Sequence, residues 1–217
     1  MIEKFKGIIF DIDGTLTSTN ELIFATFNHI AEKYENKTYS DEEIIAMFGP
    51  TEDVILKEKF NGDKFQSVYD DYYKFYKENH PTMADLYPGI IDILEFIKSK
   101  KLPIAIFTGK GRKSSIITLE ILNIKYYFDL IVTGDDVKNH KPSAEGIFKF
   151  LSAYSFKPDE VLMIGDSISD IYASRDAGVQ IASVIWDAYA KEEVKELNPN
   201  NYFCTVEELK EWLKDKI

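Results

Sequence analysis

The sequence predicts an α/β protein: a doubly wound parallel sheet carrying an all-helical insertion after its first strand. Three observations lead there. From residue 86 onward, short apolar runs alternate with stretches whose apolar residues recur at helical spacing, and alternating strands and helices build a parallel sheet covered on both faces. One further apolar run, Gly7-Ile8-Ile9-Phe10, opens the chain. Between that run and residue 86 no strand candidate intervenes, so the expected division is 1–17 and 86–217 for the core and 18–85 for the helical block.

The elements follow in order. Gly7-Ile8-Ile9-Phe10 is too short for a helix and suits a strand buried on both faces. Leu22, Ile23, Phe27, Ile30, Ala31 and Tyr34 recur every three or four residues, the stripe of an amphipathic helix. Ser40-Asp41-Glu42-Glu43 reads as a capping box opening a second helix through Ile44, Ile45 and Phe48, stopped by Gly49-Pro50. Residues 51–60 supply a third helix. Residues 63–80 supply a fourth, whose stripe of Phe65, Tyr69, Tyr72, Tyr73, Phe75 and Tyr76 is expected to be core, with Pro81 ending it. In the core, helices are expected over 90–97, 114–122, 145–153 and 168–177, and strands over 103–107, 130–132, 161–165 and 181–185. Thr205-Val206-Glu207-Glu208 is a second capping box, opening a terminal helix with Leu209, Trp212 and Leu213 inward.

Composition narrows the function. A chain of 217 residues with 45% hydrophobic and 29% charged residues has ample core material. Its net charge of −11 leaves no basic stripe to replace counterions on a nucleic acid, so no nucleic-acid partner is expected. No apolar run approaches membrane-spanning length, and Met1-Ile2-Glu3-Lys4-Phe5-Lys6 carries charge where a signal peptide is apolar. A cytoplasmic protein without a membrane partner is the expectation. The single cysteine, Cys204, forms no internal disulfide and is expected to be a buried structural thiol.

The chemistry gathers at strand ends. In open α/β sheets ligands bind beyond the carboxyl ends of the strands. Phe10-Asp11-Ile12-Asp13-Gly14-Thr15 places Asp11 and Asp13 two residues apart, starting on one side of the strand, with Gly14 permitting a sharp turn. Carboxylates that close repel unless a cation lies between them, and Mg²⁺, which takes carboxylate and phosphate oxygens, is the expected one. Thr108-Gly109-Lys110 follows an apolar strand and precedes a helix, where a hydroxyl and backbone N–H groups can hold phosphate oxygens. Lys141-Pro142 brings a positive charge before another helix. Gly165-Asp166-Ser167-Ile168-Ser169-Asp170 adds two carboxylates four residues apart, which a helix starting between them returns to one mouth; capping of that helix by Asp166 is the plainer alternative.

In this order, the four segments resemble the motifs of the haloacid dehalogenase-like hydrolase superfamily, over nearly the whole chain. The resemblance implies a Rossmann-like core with a helical cap after the first motif. It further implies that Asp11 attacks phosphorus, and that Asp13 protonates the leaving oxygen and then deprotonates water. Thr108, Gly109 and Lys141 would bind the phosphoryl group. Mg²⁺ would be held by Asp11, the main-chain carbonyl of Asp13 and Asp166, with Asp170 acting through water or orienting the site. Dehalogenases of the superfamily lack the second aspartate, so Asp13 favours phosphate chemistry. Residues 19–23, Phe48-Gly49-Pro50-Thr51-Glu52, the tyrosine-rich helix and Val184-Ile185-Trp186 are similar to the pyrophosphatase and phosphoglycolate phosphatase branch.

The resulting expectation is a Mg²⁺-dependent phosphohydrolase of a small phosphorylated metabolite. A phosphomutase of the β-phosphoglucomutase type and a non-catalytic phosphate-binding regulator are the alternatives. The absence of arginine from residues 18–85 weakens the mutase reading, although Lys57 and Lys59 offer charge there. His29, His80 and His140 have no metal-ligand spacing, so His29 and His80 are expected to be structural; His140, as the neighbour of Lys141, is a candidate for touching substrate.

Overall fold

The computed structural model describes residues 5–60 and 62–217. Its centre is a six-stranded parallel sheet in the order β3-β2-β1-β4-β5-β6, made of β1 (Gly7–Phe10), β2 (Ile104–Phe107), β3 (Leu130–Val132), β4 (Val161–Gly165), β5 (Gln180–Val184) and β6 (Tyr202–Phe203). The sheet is doubly wound, with β1 between β2 and β4, so the chain reverses direction across the sheet at the strand that leads into Asp11.

Period-two alternation divides β1 between two cores. Ile8 and Phe10 join one face with Leu94 and Ile97 of α5 (Ile90–Ser99) and Leu209 and Leu213 of α10 (Val206–Lys216). Ile9 joins the other with Ile147 and Phe150 of α7 (Glu145–Tyr154) and Ile171 and Ala173 of α8 (Ile168–Ala177). Each such side chain contributes roughly 1.5–3 kcal/mol on burial, which fixes the strand carrying the site. The remaining core helices are α6 (Arg112–Ile121) and α9 (Lys191–Leu197).

Between β1 and α5 lie α1 (Asn20–Glu35), α2 (Asp41–Ile45), α3 (Glu52–Lys59) and α4 (Phe65–Met83). They share a separate apolar cluster built on Leu22, Phe27, Ile30, Ile55, Leu56 and Tyr72. Both expected capping boxes are present, at Ser40 and Thr205. The chain enters and leaves this block through adjoining segments. Thr17 pairs antiparallel with Leu86, Ser18 N–H donates to the Asp85 carbonyl at 2.9 Å, and Tyr87 N–H to that of Leu16 at 3.1 Å.

Several details depart from the sequence reading. Helix α4 runs through Pro81 to Met83, because a proline near a helix end forfeits a single backbone donor. Helix α2 stops at Ile45, and Met47 and Phe48 continue only as hydrogen-bonded turns. Cys204 is exposed: Tyr202 is exposed and Phe203 buried, so the alternation turns Cys204 outward. Its N–H donates to Glu208 at the start of α10. The N-terminal segment Met1-Ile2-Glu3-Lys4 lies outside the described residues. No described helix is long and apolar enough to cross a membrane.

Candidate active site

Asp11 is the first residue beyond β1, its N–H held by the Ile164 carbonyl of β4 at 2.9 Å. Ile12 N–H donates to its Oδ1 at 2.8 Å. Asp166 sits at the equivalent point after β4, and Asp170 lies in the first turn of α8, where it completes a capping box with Ser167. Asp166 is therefore not the helix cap; Ser167 is. Asp11, Asp166 and Asp170 are all buried, and each offers a carboxylate oxygen within 4.8 Å of the others.

Two glycines make this approach possible. A Cβ on Gly14, whose φ is +75°, would stand 2.4 Å from Asp166 Oδ2, and one on Gly165 would stand 2.4 Å from Asp170 Cγ. Any larger residue would push the carboxylates apart. Thr15 Oγ1 donates to Asp166 Oδ1 at 3.0 Å, while Ser167 N–H and Oγ donate to Asp170 Oδ2 at 3.0 and 2.6 Å.

Lys141 is the counter-charge. Its Nζ lies 2.5 Å from Asp170 Oδ1 and 3.3 Å from Asp11 Oδ1, with 5% of its side chain exposed. Burial works against its charge, but Asp11 and Asp170 outweigh burial and its pKa ends above the usual lysine value. Burial pushes the Asp11 carboxyl up to about 6; Lys141 opposes the rise, and the neighbouring Asp170 and Asp13 add to it. Asp166 is driven well above the ordinary carboxylate range, by burial first and then by Asp11 and Asp170. With all three carboxylates ionised, as ligation of a cation requires, one ammonium leaves two negative charges uncompensated, the charge of one divalent cation. An all-oxygen donor set is the kind that Mg²⁺ accepts.

Asp13 faces the same cavity but belongs to a different network. Lys110 Nζ bridges its two carboxylate oxygens at 3.0 and 3.1 Å, and Thr19 Oγ1 donates to Oδ1. The Asp13 side chain is not among the three clustered carboxylates. Lys110 is buried and lies 5.0 Å from the Tyr76 ring centroid. Burial disfavours its charge, yet Asp13 and the groups around it raise its pKa above the usual value. Thr108 is buried at the end of β2, its Oγ1 accepting from Lys110 N–H at 3.3 Å, and Gly109 borders the cavity with open space where a Cβ would stand. The structure thus brings Asp11, Asp13, Thr108, Gly109, Lys141 and Asp166 to one cavity of about 210 Å³, with Asp170 immediately behind Lys141.

The other candidates lie elsewhere. Lys57 and Lys59 do not line this cavity, and Lys59 donates to Tyr39 OH at 2.9 Å. His29 stacks on Phe75 at 4.3 Å, His80 is buried with its Nε2 3.1 Å from Thr118 Oγ1, and His140 is not part of the lining. Four residues that stand in the quoted segments without an expected role do matter here: Thr15, Thr19, Lys110 and Glu52. Glu52, at the start of α3, is buried against the first turn of α6; its Oε2 accepts from Gly111 N–H at 2.8 Å, while Oε1 accepts from Ser114 Oγ and Tyr73 OH. The first three lie beside residues with an expected role. Glu52 carries no sequence signal of a partner some sixty residues away.

The comparisons agree with this geometry. A model of the family described as haloacid dehalogenase-like hydrolase matches residues 8–184, from the first strand to the fifth. Pyrophosphatase PpaX of Bacillus cereus is 31% identical over 197 residues, covering 91% of both chains. Among solved structures, a predicted phosphoglycolate phosphatase from Haemophilus somnus superposes over the whole of both chains with a TM-score of 0.84 at 22% identity, a likeness of fold. A Thermotoga maritima protein provisionally assigned as a β-phosphoglucomutase has a TM-score of 0.77 at 28% identity, covering 98% of this chain and all of that one. By the span of the matching model and the extent of these relatives, the chain belongs to the haloacid dehalogenase-like hydrolase family.

Proposed function

We propose that the protein is a Mg²⁺-dependent phosphohydrolase of small phosphorylated substrates that works through an aspartyl-phosphate on Asp11. The observation that carries this reading is the convergence of Asp11, Asp166 and Asp170 within 4.8 Å, beside the Lys141 ammonium and at the floor of one cavity. Asp11, Asp166 and the main-chain carbonyl of Asp13 would hold the cation, with Asp170 acting through water or by orientation. When bound, Mg²⁺ supplies charge neutralisation for an incoming phosphate.

The protein's own groups do the rest. Thr108, Gly109 and Lys141 take the phosphoryl oxygens, and Lys141 screens the charge that Asp11 presents to an anion. An Asp11 carboxylate oxygen bonds to phosphorus as the bond to the leaving oxygen breaks, and Asp13 gives that oxygen a proton. Asp13 then takes a proton from the water that hydrolyses the acyl phosphate, returning both carboxylates to their starting state. Lys110 and Thr19 orient Asp13 for both transfers. Helices α1 to α4 act as a cap over the cavity, and the substrate is expected in the cytoplasm.

The test is phosphate release from p-nitrophenyl phosphate. Asp11→Asn abolishes it while circular dichroism stays unchanged, EDTA silences the wild type and added Mg²⁺ restores it. Near-normal turnover in the variant refutes the nucleophile, and indifference to chelation refutes the metal.

A further inference from the structure

The cavity above Asp11 changes character away from the carboxylates. Its outer walls are Ile23, Phe27, Phe48, Ile55, Tyr72 and Tyr189. Ile23, Phe27, Ile55 and Tyr72 are buried, whereas Phe48 and Tyr189 are 40% and 48% exposed and stand 6.4 Å apart, centroid to centroid. Phe24 lies 6.5 Å from Phe48 and 6.1 Å from Tyr189, so three rings crowd the mouth. Exposed aromatic rings bordering an enclosed apolar wall are an unusual surface for a protein that binds nothing apolar.

Charge points the same way. Among the described residues the ammonium groups lining the cavity are those of Lys110 and Lys141, both from the core, and both are engaged by the site's own carboxylates. The helical block contributes one charged group to the lining, the Glu52 carboxylate. Both its oxygens already accept hydrogen bonds from Gly111, Ser114 and Tyr73, which holds it in place. The uncharged polar groups of the lining are engaged as well, Asn20 donating to Asp187 at 3.1 Å and Ser167 bonding to Ser169 and Asp170. A second phosphate or a carboxylate on the leaving group would therefore find no free cation to receive it and would lose its hydration poorly compensated.

We infer that the leaving group is a neutral, apolar alcohol carried against these walls, so that the substrate is an apolar phosphomonoester. Pyrophosphate, the substrate named for the Bacillus relatives, and phosphoglycolate are then poor substrates. This rests on the phosphohydrolase reading above.

The test compares kcat/KM, with Mg²⁺ present, for 2-phenylethyl phosphate, ethyl phosphate, phosphoglycolate and pyrophosphate. The first two share an alkyl leaving group and differ in the ring, so intrinsic reactivity does not confound them. The phenylethyl ester is expected to exceed the ethyl ester by about 30-fold, the scale of burying one ring, with both anionic substrates below the ethyl ester. Phe48→Lys, at an exposed position, lowers the phenylethyl-to-phosphoglycolate selectivity at least ~10-fold, with circular dichroism confirming the fold. Pyrophosphate or phosphoglycolate turned over ahead of the phenylethyl ester overturns this inference alone, as does an unchanged selectivity in the variant. No turnover of these four compounds or of p-nitrophenyl phosphate overturns the phosphohydrolase reading with it.

Discussion

Replacing Lys141 with methionine removes the one positive charge from a buried acidic cluster while retaining most of the side-chain volume. The ammonium lies 2.5 Å from Asp170 and 3.3 Å from Asp11, and the three side chains are 5%, 0% and 12% exposed. Breaking a buried pair by deleting one partner costs about 3–5 kcal/mol, because the other charge is left uncompensated. Here two carboxylates lose their shared partner at once, so the upper half of that range is expected. At about 2–4 °C per kcal/mol for a chain of this length, the melting temperature at pH 7.5 in EDTA falls by about 8–20 °C. Acidification shrinks the deficit. Asp11 already has its pKa pushed up to about 6 with Lys141 beside it, and loses that opposing influence in the variant. A carboxyl whose pKa rises on folding binds its proton more tightly in the folded state, so stability increases as pH falls through the folded pKa toward the unfolded value. Mg²⁺ should stabilise the variant more than the wild type, since it replaces the missing charge. Circular-dichroism melts at pH 7.5 and 5, with EDTA or Mg²⁺, measure all three effects. A deficit below about 2 °C at pH 7.5, or one that grows on acidification, refutes the electrostatic account.

Other substitutions probe separate parts of the argument. Gly14→Ala forces a Cβ to within 2.4 Å of Asp166 Oδ2 at a φ of +75°. It should cost roughly 1–2 kcal/mol of stability and raise the Mg²⁺ concentration for half-activation about 10–100-fold, as metal titration of activity would show. Glu52→Ala leaves Gly111 N–H without its acceptor, while Tyr73 OH retains Asp53 at 2.5 Å and Ser114 Oγ retains the Gly111 carbonyl at 3.2 Å. One orphaned donor sets the loss at about 1–3 kcal/mol in urea unfolding; a neutral result contradicts the assigned bonds. His80 has its pKa held below 6.5, first by burial and then by the nearby Lys110 charge. The unfolded chain therefore takes up a proton below about pH 6.5 that the folded chain refuses, and stability falls with pH there. His80→Gln should flatten the urea midpoint between pH 6.5 and 5 relative to wild type; an identical slope refutes this contribution.

Strands β1, β2 and β4 were legible because they are buried along their whole length, so that they read as unbroken apolar runs bounded by glycine, proline or acid. Ile168–Ala177 was read to the residue, since Ser167 caps it and Gly178 ends it in the left-handed conformation. Strand β6 was missed: two residues, one of them exposed, give no run to detect. The same brevity misled the reading of Cys204, whose facing is set by the pleat rather than by its residue type. Around the site, Asp11, Thr108 and Asp166 stood out because each follows directly on an apolar strand, and Lys141 because it stands beside a proline ahead of a helix. Lys110 was visible only as part of a turn, because its pairing with Asp13 spans 97 residues and nothing local distinguishes it from a solvated lysine. Glu52 was hidden for the same reason, with the added misdirection that a glutamate at a helix start usually needs no partner beyond the helix itself.

The paired segments at Thr17 and Leu86 have one further implication. The two crossings into the helical block leave the core side by side, with the Ser18 N–H and the Asp85 carbonyl 2.9 Å apart. A module whose two ends meet can be exchanged for another without moving the scaffold that receives it, and grafts succeed most readily at such junctions. Transplanting the equivalent segment from a relative into this junction would change what covers the reacting groups while leaving their supporting strands untouched, making this chain a recipient for deliberate alteration of substrate choice.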